Sequence, residues 1–152
     1  MLCALIWMAV ACTNNSTTTS PTSISNPTPT AATTPSATTT PVSLTFLYNT
    51  YISVAVGSSA SCISCHGSAG AQGSPMNASS KSAFYSSMVG VASAFGCGSQ
   101  LVTANNTSQS ALYNRLSGSS CSPQMPDGGP NYLNATQLAQ FASWINSGAP
   151  NN

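Results

Sequence analysis

The chain has 152 residues, and only three of them, Lys81, Arg115 and Asp127, carry a charged side chain. About a quarter of the residues of an average soluble protein are charged, so Ser, Thr, Asn and Gln must supply the hydration of this surface. Because phosphate binding relies on Lys and Arg and acid–base carboxylates work in pairs, the composition argues against a nucleic-acid partner and against chemistry by paired carboxylates.

Residues 1–12 are typical of an export signal. The first eleven residues are apolar and lead into Cys12; they are too few to span a bilayer core of about 30 Å but suit the apolar part of a secretory signal. The segment ends either in an ordinary cleavage site or in a bacterial lipoprotein box that lipidates Cys12, and an uncleaved anchor is the third alternative. We expect an exported bacterial protein, periplasmic, on the cell surface or secreted, with a lipid anchor in the membrane only if Cys12 is modified.

Residues 13–42 differ sharply in composition from the rest of the chain. They contain 12 Thr, 5 Ser and 5 Pro, with Ile24 and Val42 as the only large apolar side chains. Such a segment cannot bury enough apolar area to offset its ordering entropy. We therefore expect a disordered tether, either a spacer that holds the next domain clear of a membrane or wall, or a stalk without a length requirement.

Residues 43–152 are predicted to form the folded domain. Apolar side chains recur there at helical spacing, and no run of alternating residues predicts a strand. The predicted helices lie around Leu47 and Tyr51, from Ser80 to Phe95, at 109–117 before Gly118, and from the capping residues Asn134 and Gln137 to a stop at Gly148. The expected fold class is mainly α.

The run Cys62-Ile63-Ser64-Cys65-His66 has the spacing at which c-type haem is attached. Two thiols one helical turn apart reach the two vinyl groups of one porphyrin edge as thioethers, and the next residue presents its imidazole to the iron. A zinc site would need further Cys or His ligands, a thioredoxin-type pair expects a βαβ setting, and a disulfide between the two cysteines would leave the chain's only histidine unexplained. We expect one covalent haem c, with Cys62 and Cys65 as thioethers and His66 as the proximal iron ligand.

The sixth iron ligand is expected to be a methionine, because the chain has no second histidine. Met88 falls on the apolar face of a predicted helix and is interpreted as core. Met76 is ten residues after His66, which leaves little chain with which to cross a haem. Met125 precedes Pro126, which stiffens its loop, and is the favoured distal ligand. A vacant sixth site that is open to a small ligand is the remaining alternative.

Four motifs follow one another between residues 44 and 150: C-x-x-C-H, S-x-L-Y, M-P-x-G-G and W-I-x-x-G-A-P. In this order they resemble the small monohaem cytochrome c domains of exported bacterial proteins. The resemblance implies a cytochrome c-like fold around one haem, with the first and last helices packed together. It also implies that Cys62 and Cys65 bind the haem and that His66 and Met125 ligate the iron. Such domains usually carry several charged residues, which this chain lacks.

Cys97 and Cys121 are left over once the haem cysteines are assigned. In an exported protein two such cysteines are expected to pair, and closing about 25 residues would stabilise the fold by roughly 3 kcal/mol on the chain-entropy model. The disulfide is either a general staple or also the bond that fixes the segment leading to Met125.

These features predict an electron carrier rather than an enzyme, with redox proteins as partners and the haem as the group that takes up and releases the electron. With so few charges, docking should depend only weakly on salt, and little stability should be lost in acid. Arg115 and Lys81 are expected either to pair with haem propionates or to lie on ordinary surface. The alternative functions are a surface structural subunit whose haem nucleates the fold, and an open-site haem protein with ligand-sensing or peroxidase-like activity.

Overall fold

The computed structural model describes residues 41–56, 61–119, 121–127, 129 and 131–152. These residues form five helices: α1 Leu44–Leu47, α2 Cys62–His66, α3 Lys81–Met88, α4 Ala111–Ser117 and α5 Ala135–Asn146. A π-helical turn, Tyr48–Ile52, continues α1, and a 3₁₀ turn, Ala71–Gly73, follows α2. The part of the chain between α3 and α4 makes isolated β-bridges, and no described residue belongs to a strand. The prediction of a mainly α fold is confirmed.

Cys12, the predicted signal and all but the end of the predicted tether lie outside the described residues. Those expectations stay predictions. The described chain enters the domain with Val42 packed against the core, and the Ser43 hydroxyl then accepts a hydrogen bond from the Phe46 N–H at 3.0 Å. This side-chain cap starts α1 at the predicted domain boundary. Among the described helices, none has the length and apolar character needed to cross a membrane.

The two ends of the described domain are joined by hydrogen bonds to Asn152. Its side-chain oxygen accepts from the Leu44 N–H at 2.8 Å, and its backbone carbonyl accepts from the Thr45 N–H at 2.8 Å. The Lys81 ammonium at the start of α3 donates to the same carbonyl at 3.3 Å and to the Thr45 hydroxyl at 3.0 Å. Lys81 therefore holds α3 against both ends of the domain.

Helix α5 supplies the largest fully buried side chain of the described core, that of Trp144. Phe141, Trp144 and Ile145 are buried on one face, and the Trp144 indole N–H donates to the Pro150 carbonyl at 2.9 Å. The ring of Tyr51, in the turn that continues α1, lies 5.8 Å from the Phe141 ring. Helix α5 thus packs against the first helical segment, and it also contacts α4.

Both ends of α5 follow the prediction. The Asn134 side chain accepts from the Gln137 N–H at 3.0 Å, and the Gln137 side chain accepts from the Asn134 N–H at 2.8 Å. This reciprocal pair is a capping box. The helix ends at Asn146, and Gly148 follows with a φ of 97°, a value that favours glycine.

Helix α3 is shorter than the predicted helix of residues 80–95. It begins as expected, because the Ser80 hydroxyl accepts from a backbone N–H of the first turn. It ends at Met88, where Val89 is already extended and Gly90 has a φ of 75°. The prediction for the second half of this helix is wrong.

After Gly90 the chain pairs with a later segment instead of continuing the helix. The Gly90 N–H donates to the Val102 carbonyl at 3.0 Å, and the Leu101 N–H donates to the Val91 carbonyl at 2.7 Å. These long-range hydrogen bonds satisfy the backbone groups that a longer helix would have satisfied locally. The helical spacing of the apolar residues beyond Met88 is therefore coincidental.

Replacing Asn134 by Ala is expected to lower the free energy of unfolding by about 1 kcal/mol, because the Gln137 N–H loses its side-chain acceptor at the start of α5. Thermal or denaturant unfolding followed by circular dichroism measures the loss. Thr136→Ala, an exposed substitution in the same turn, is the control. Equal stability of the two variants would contradict the role of the cap.

Candidate functional site

Both cysteines and the histidine of the C-x-x-C-H run lie on α2. Positions three apart on a helix lie on neighbouring parts of one face, so Cys62 and Cys65 are set one turn apart as predicted. Both are free thiols, Cys62 partly buried and Cys65 exposed. The alternative of a disulfide between them is wrong. Gly67 follows His66 directly, and a Cβ at this position would lie 2.7 Å from the Ile63 carbonyl oxygen. The absence of a side chain therefore allows the backbone to pass close to that carbonyl at the end of α2.

His66 is the last residue of α2 and is only partly exposed. Its Nδ1 is buried and has no hydrogen-bond partner within the described ranges. Burial lowers the pKa of His66 below its ordinary value, although the backbone of Ala71 acts in the opposite direction. The imidazole is therefore kept in the neutral form, which is the form that ligates metals.

Cys62 is protonated at neutral pH in this fold. Burial raises the pKa of its thiol to about 11, Cys65 adds a smaller rise, and a backbone hydrogen bond lowers it in part. The sulfur lies 3.6 Å from the Tyr51 carbonyl oxygen, which accepts its hydrogen bond. Such a thiol is a poor free nucleophile and a compact apolar neighbour for whatever fills the adjacent space.

A cavity of about 770 Å³ opens beside α2. Its volume lies within the range of roughly 300–1,000 Å³ that is usual for pockets that hold small molecules and cofactors. Both thiols and the His66 side chain line it, and most of its remaining wall is apolar. Four apolar residues of this wall come from α4 and the segment before it: Leu101, Ala111, Leu112 and Leu116.

Three methionines, Met76, Met88 and Met125, also line this cavity. Met88 is 3% exposed and belongs to the hydrophobic core, so its interpretation as core is confirmed, but it is also part of the cavity wall. Met76 is buried as well, and its segment is held near α2 because the Ala78 N–H donates to the His66 carbonyl at 2.6 Å. Met125 is partly buried and packs against the core.

Residues 121–127 form a segment that we call the Met125 loop, and the last turn of α4 holds it. The Met125 N–H donates to the Arg115 carbonyl at 2.9 Å. The Arg115 guanidinium donates in turn to the Pro123 carbonyl at 3.2 Å. One residue of α4 thus contacts the loop at two points, and it does so from the wall of the cavity.

The next contact between α4 and the loop depends on Gly118, which ends the helix as predicted. Its φ of 67° is left-handed, and a Cβ at this position would lie 2.6 Å from the Gln124 side-chain oxygen. The Gln124 amide uses that close approach to donate to the Leu116 carbonyl at 2.9 Å. The turn at Gly118 was readable from the sequence, whereas the approach of Gln124 was not.

Cys97 and Cys121 form the predicted disulfide, with their Cα atoms 5.3 Å apart and both side chains buried. Cys121 is the first residue of the Met125 loop. The buried side chain of Asn114, on α4, donates to the Cys97 carbonyl. The disulfide and α4 therefore meet at the start of the loop, and the idea that this bond fixes Met125 stays a prediction.

The charged residues are distributed unevenly over the described chain. Arg115 and Asp127 line the cavity, whereas Lys81 is held by Thr45 and Asn152 at the domain ends. The guanidinium of Arg115 lies 5.5 Å from the centre of the Phe95 ring, within cation–π range. Of the two placements expected for Lys81 the structure supports the ordinary surface one. The position of Arg115 and Asp127 at the cavity could not be predicted from any local sequence pattern.

In the described ranges, no three His, Cys, Asp or Glu side chains come together as a metal-binding group. No family model matches the chain, and no curated protein or solved structure matches it either. The resemblance to monohaem cytochrome c domains therefore stays a prediction.

In the chain without cofactor, Cys65 is expected to react with iodoacetamide faster than Cys62 at neutral pH. The thiolate is the reactive form, and burial raises the pKa of Cys62 from 9.0 to about 11. The neutral Cys62 thiol stabilises the fold below pH 9.0, and this contribution is lost as the pH rises through about 11.

Timed quenching and peptide mass spectrometry measure both alkylation rates. The same chain unfolded in urea, with both thiols in water, is the control and should show similar rates. Similar rates in the folded chain would show that Cys62 is not buried as described.

Proposed function

We propose that this chain is an exported electron-transfer protein with one covalent c-type haem, of the monohaem cytochrome c type. The observation that carries the proposal is a single cavity lined by two free thiols and an imidazole from one helical turn. No general structural role requires these three groups at this spacing. The contact of α5 with the first helical segment supports the same fold.

The residues present fit a haem in three respects. The cavity has a suitable volume and a mostly apolar wall, and the thiols of Cys62 and Cys65 are unpaired and available for thioether bonds. The imidazole of His66 is kept neutral by burial, as an iron ligand must be. When bound, the haem would supply reversible one-electron chemistry, and the protein would tune its potential by ligation and burial.

Met125 is the distal ligand that the contacts favour. The backbone bond between Ala78 and His66 holds the Met76 segment against the helix that would supply the proximal ligand. Met88 is fixed in the core of the domain. Met125 lies on a separate loop that is held by α4, so its thioether can approach independently of α2.

The other residues of the site would exclude water and set the charge around the cofactor. Leu101, Leu112 and Leu116 provide apolar wall, and Arg115 and Asp127 provide one positive and one negative group. Because the formal net charge of the chain is only +1, docking with a redox protein would rely on shape and polar contacts, at rates near the neutral range of about 10⁵–10⁶ M⁻¹s⁻¹. The Cys97–Cys121 disulfide agrees with a location outside the cytoplasm.

The ligand assignment is tested by replacing each methionine of the cavity with Leu, which nearly conserves side-chain volume. In the oxidised protein, Met125→Leu is expected to abolish the weak near-infrared absorption band of a methionine–iron bond and to lower the reduction potential. Met76→Leu and Met88→Leu are matched controls and should keep the band. All three variants should retain covalent haem.

If the wild-type protein is high-spin and binds carbon monoxide at once, the sixth position is open. The electron-carrier proposal would then give way to the ligand-sensing or peroxidase-like alternative. If purified protein from a host able to attach c-type haem carries none, the proposal fails as a whole.

The haem-loaded protein is expected to keep its visible spectrum on acidification to about pH 4, because acid unfolding mostly follows the protonation of carboxylates that are paired in the folded state. The only acidic side chain of the chain is that of Asp127, and it is exposed. A pH titration of the spectrum measures the midpoint, and Asp127→Asn should leave it unchanged. A midpoint above about pH 4 would contradict this account.

A further inference from the structure

We propose that Arg115 is a positioning residue that keeps the Met125 loop closed on the cavity and so controls how often the distal position opens. The inference rests on the proposed function, because it takes Met125 to be the distal iron ligand. It assigns a task to one of only two basic residues in the chain.

The first support is the double contact between Arg115 and the loop. Its carbonyl accepts from the N–H of Met125 itself at 2.9 Å, and its guanidinium donates to the Pro123 carbonyl at 3.2 Å. In the part of the chain that the structure describes, the first of these is the single hydrogen bond between backbone groups that the loop makes. The loop is therefore held mainly from outside. The backbone bond would form with any residue at position 115, so the bond from the guanidinium to Pro123 is the part of this hold that depends on arginine.

The second support is the Phe95 ring beneath the guanidinium. The two groups are 5.5 Å apart, and the ring is 46% exposed although it is a large apolar side chain. A planar guanidinium stacks on an aromatic face while its edge still donates hydrogen bonds. Phe95 thus restricts the orientation of the Arg115 guanidinium so that the N–H groups of that guanidinium face the loop. This contact explains why a large apolar ring is kept at an exposed position.

The third support is the placement of the other anchors. The disulfide acts at Cys121, the first residue of the loop, and the Gln124 side chain bonds to Leu116. Among the described residues, Arg115 alone is hydrogen-bonded to the backbone on both sides of that glutamine, at Pro123 and at Met125. A thioether is a weak iron ligand, so the loop's own anchoring decides whether the bond stays formed.

The test uses Arg115→Met in the haem-loaded protein, since methionine keeps most of the aliphatic stem and removes the donors and the charge. Carbon monoxide binds the reduced protein only when the distal position opens, so its association rate should rise on the order of tenfold, as expected for one lost charge-assisted hydrogen bond. Hydrogen exchange of the Met125 amide should accelerate by a similar factor. Phe95→Leu should change both in the same direction by a smaller factor, and it keeps the test usable if Arg115→Met fails to fold.

Lys81→Met is the matched control, because it removes the same charge and two hydrogen bonds at the domain ends. It should lower thermal stability and leave carbon monoxide association and Met125 exchange unchanged. The inference is overturned if Arg115→Met behaves as the wild type or if Lys81→Met has the same effect as Arg115→Met. An absent methionine–iron band in the wild type would instead refute the ligation on which the inference rests.

Discussion

The cavity depends on the hydrogen bonds between the last turn of α4 and the Met125 loop. Two residues of that turn bond to the loop directly, since the Arg115 carbonyl accepts from the Met125 N–H and the Leu116 carbonyl from the Gln124 amide. The Asn114 side chain donates to the Cys97 carbonyl, next to the disulfide that begins the loop. The last carbonyls of a helix have no partner within it, so those of Arg115 and Leu116 are available to the loop, while the Asn114 side chain reaches the segment at the disulfide. Because α4 also packs on α5, the helix that carries the buried Trp144 supports one wall of the candidate haem site.

The scarcity of carboxylates determines how the two basic residues are used. Lys81 donates to the Asn152 carbonyl and Arg115 to the Pro123 carbonyl. The Pro123 carbonyl does not titrate in the physiological or acidic range, so the contacts of Arg115 do not weaken when carboxylates would become protonated. A neutral acceptor also limits the strength of such a contact, since two opposite charges in a partly buried site attract more strongly than a charge and a dipole. The fold therefore relies on several neutral contacts around each cation, such as the Phe95 ring beside Arg115.

The features that could be predicted from the sequence are those with local causes. The capping box of Asn134, the stop at Gly118 and the helical turn of α2 depend on residues within a few positions of each other, and each is present. The end of α3 could not be predicted, because it depends on pairing with the segment around Val102. The sequence also did not predict that Arg115 and Met88 would line the cavity. Each depends on a partner far along the chain, which apolar spacing does not report.

The same division applies to the two axial ligands of the proposed haem. His66 follows its thiols on one helical turn, so covalent attachment by itself would bring its imidazole to the iron whatever the rest of the domain does. The Met125 backbone is hydrogen-bonded to α4, and the disulfide lies at the start of its loop, far along the chain from α2. Changes in distant residues can therefore weaken the distal ligand while they leave the proximal one intact. An electron carrier needs both ligands to stay in place, since a fixed coordination keeps reorganisation on electron transfer small. An open-site protein needs only the first. In this fold the difference between the two functions thus lies in the contacts of the Met125 loop rather than in the C-x-x-C-H motif.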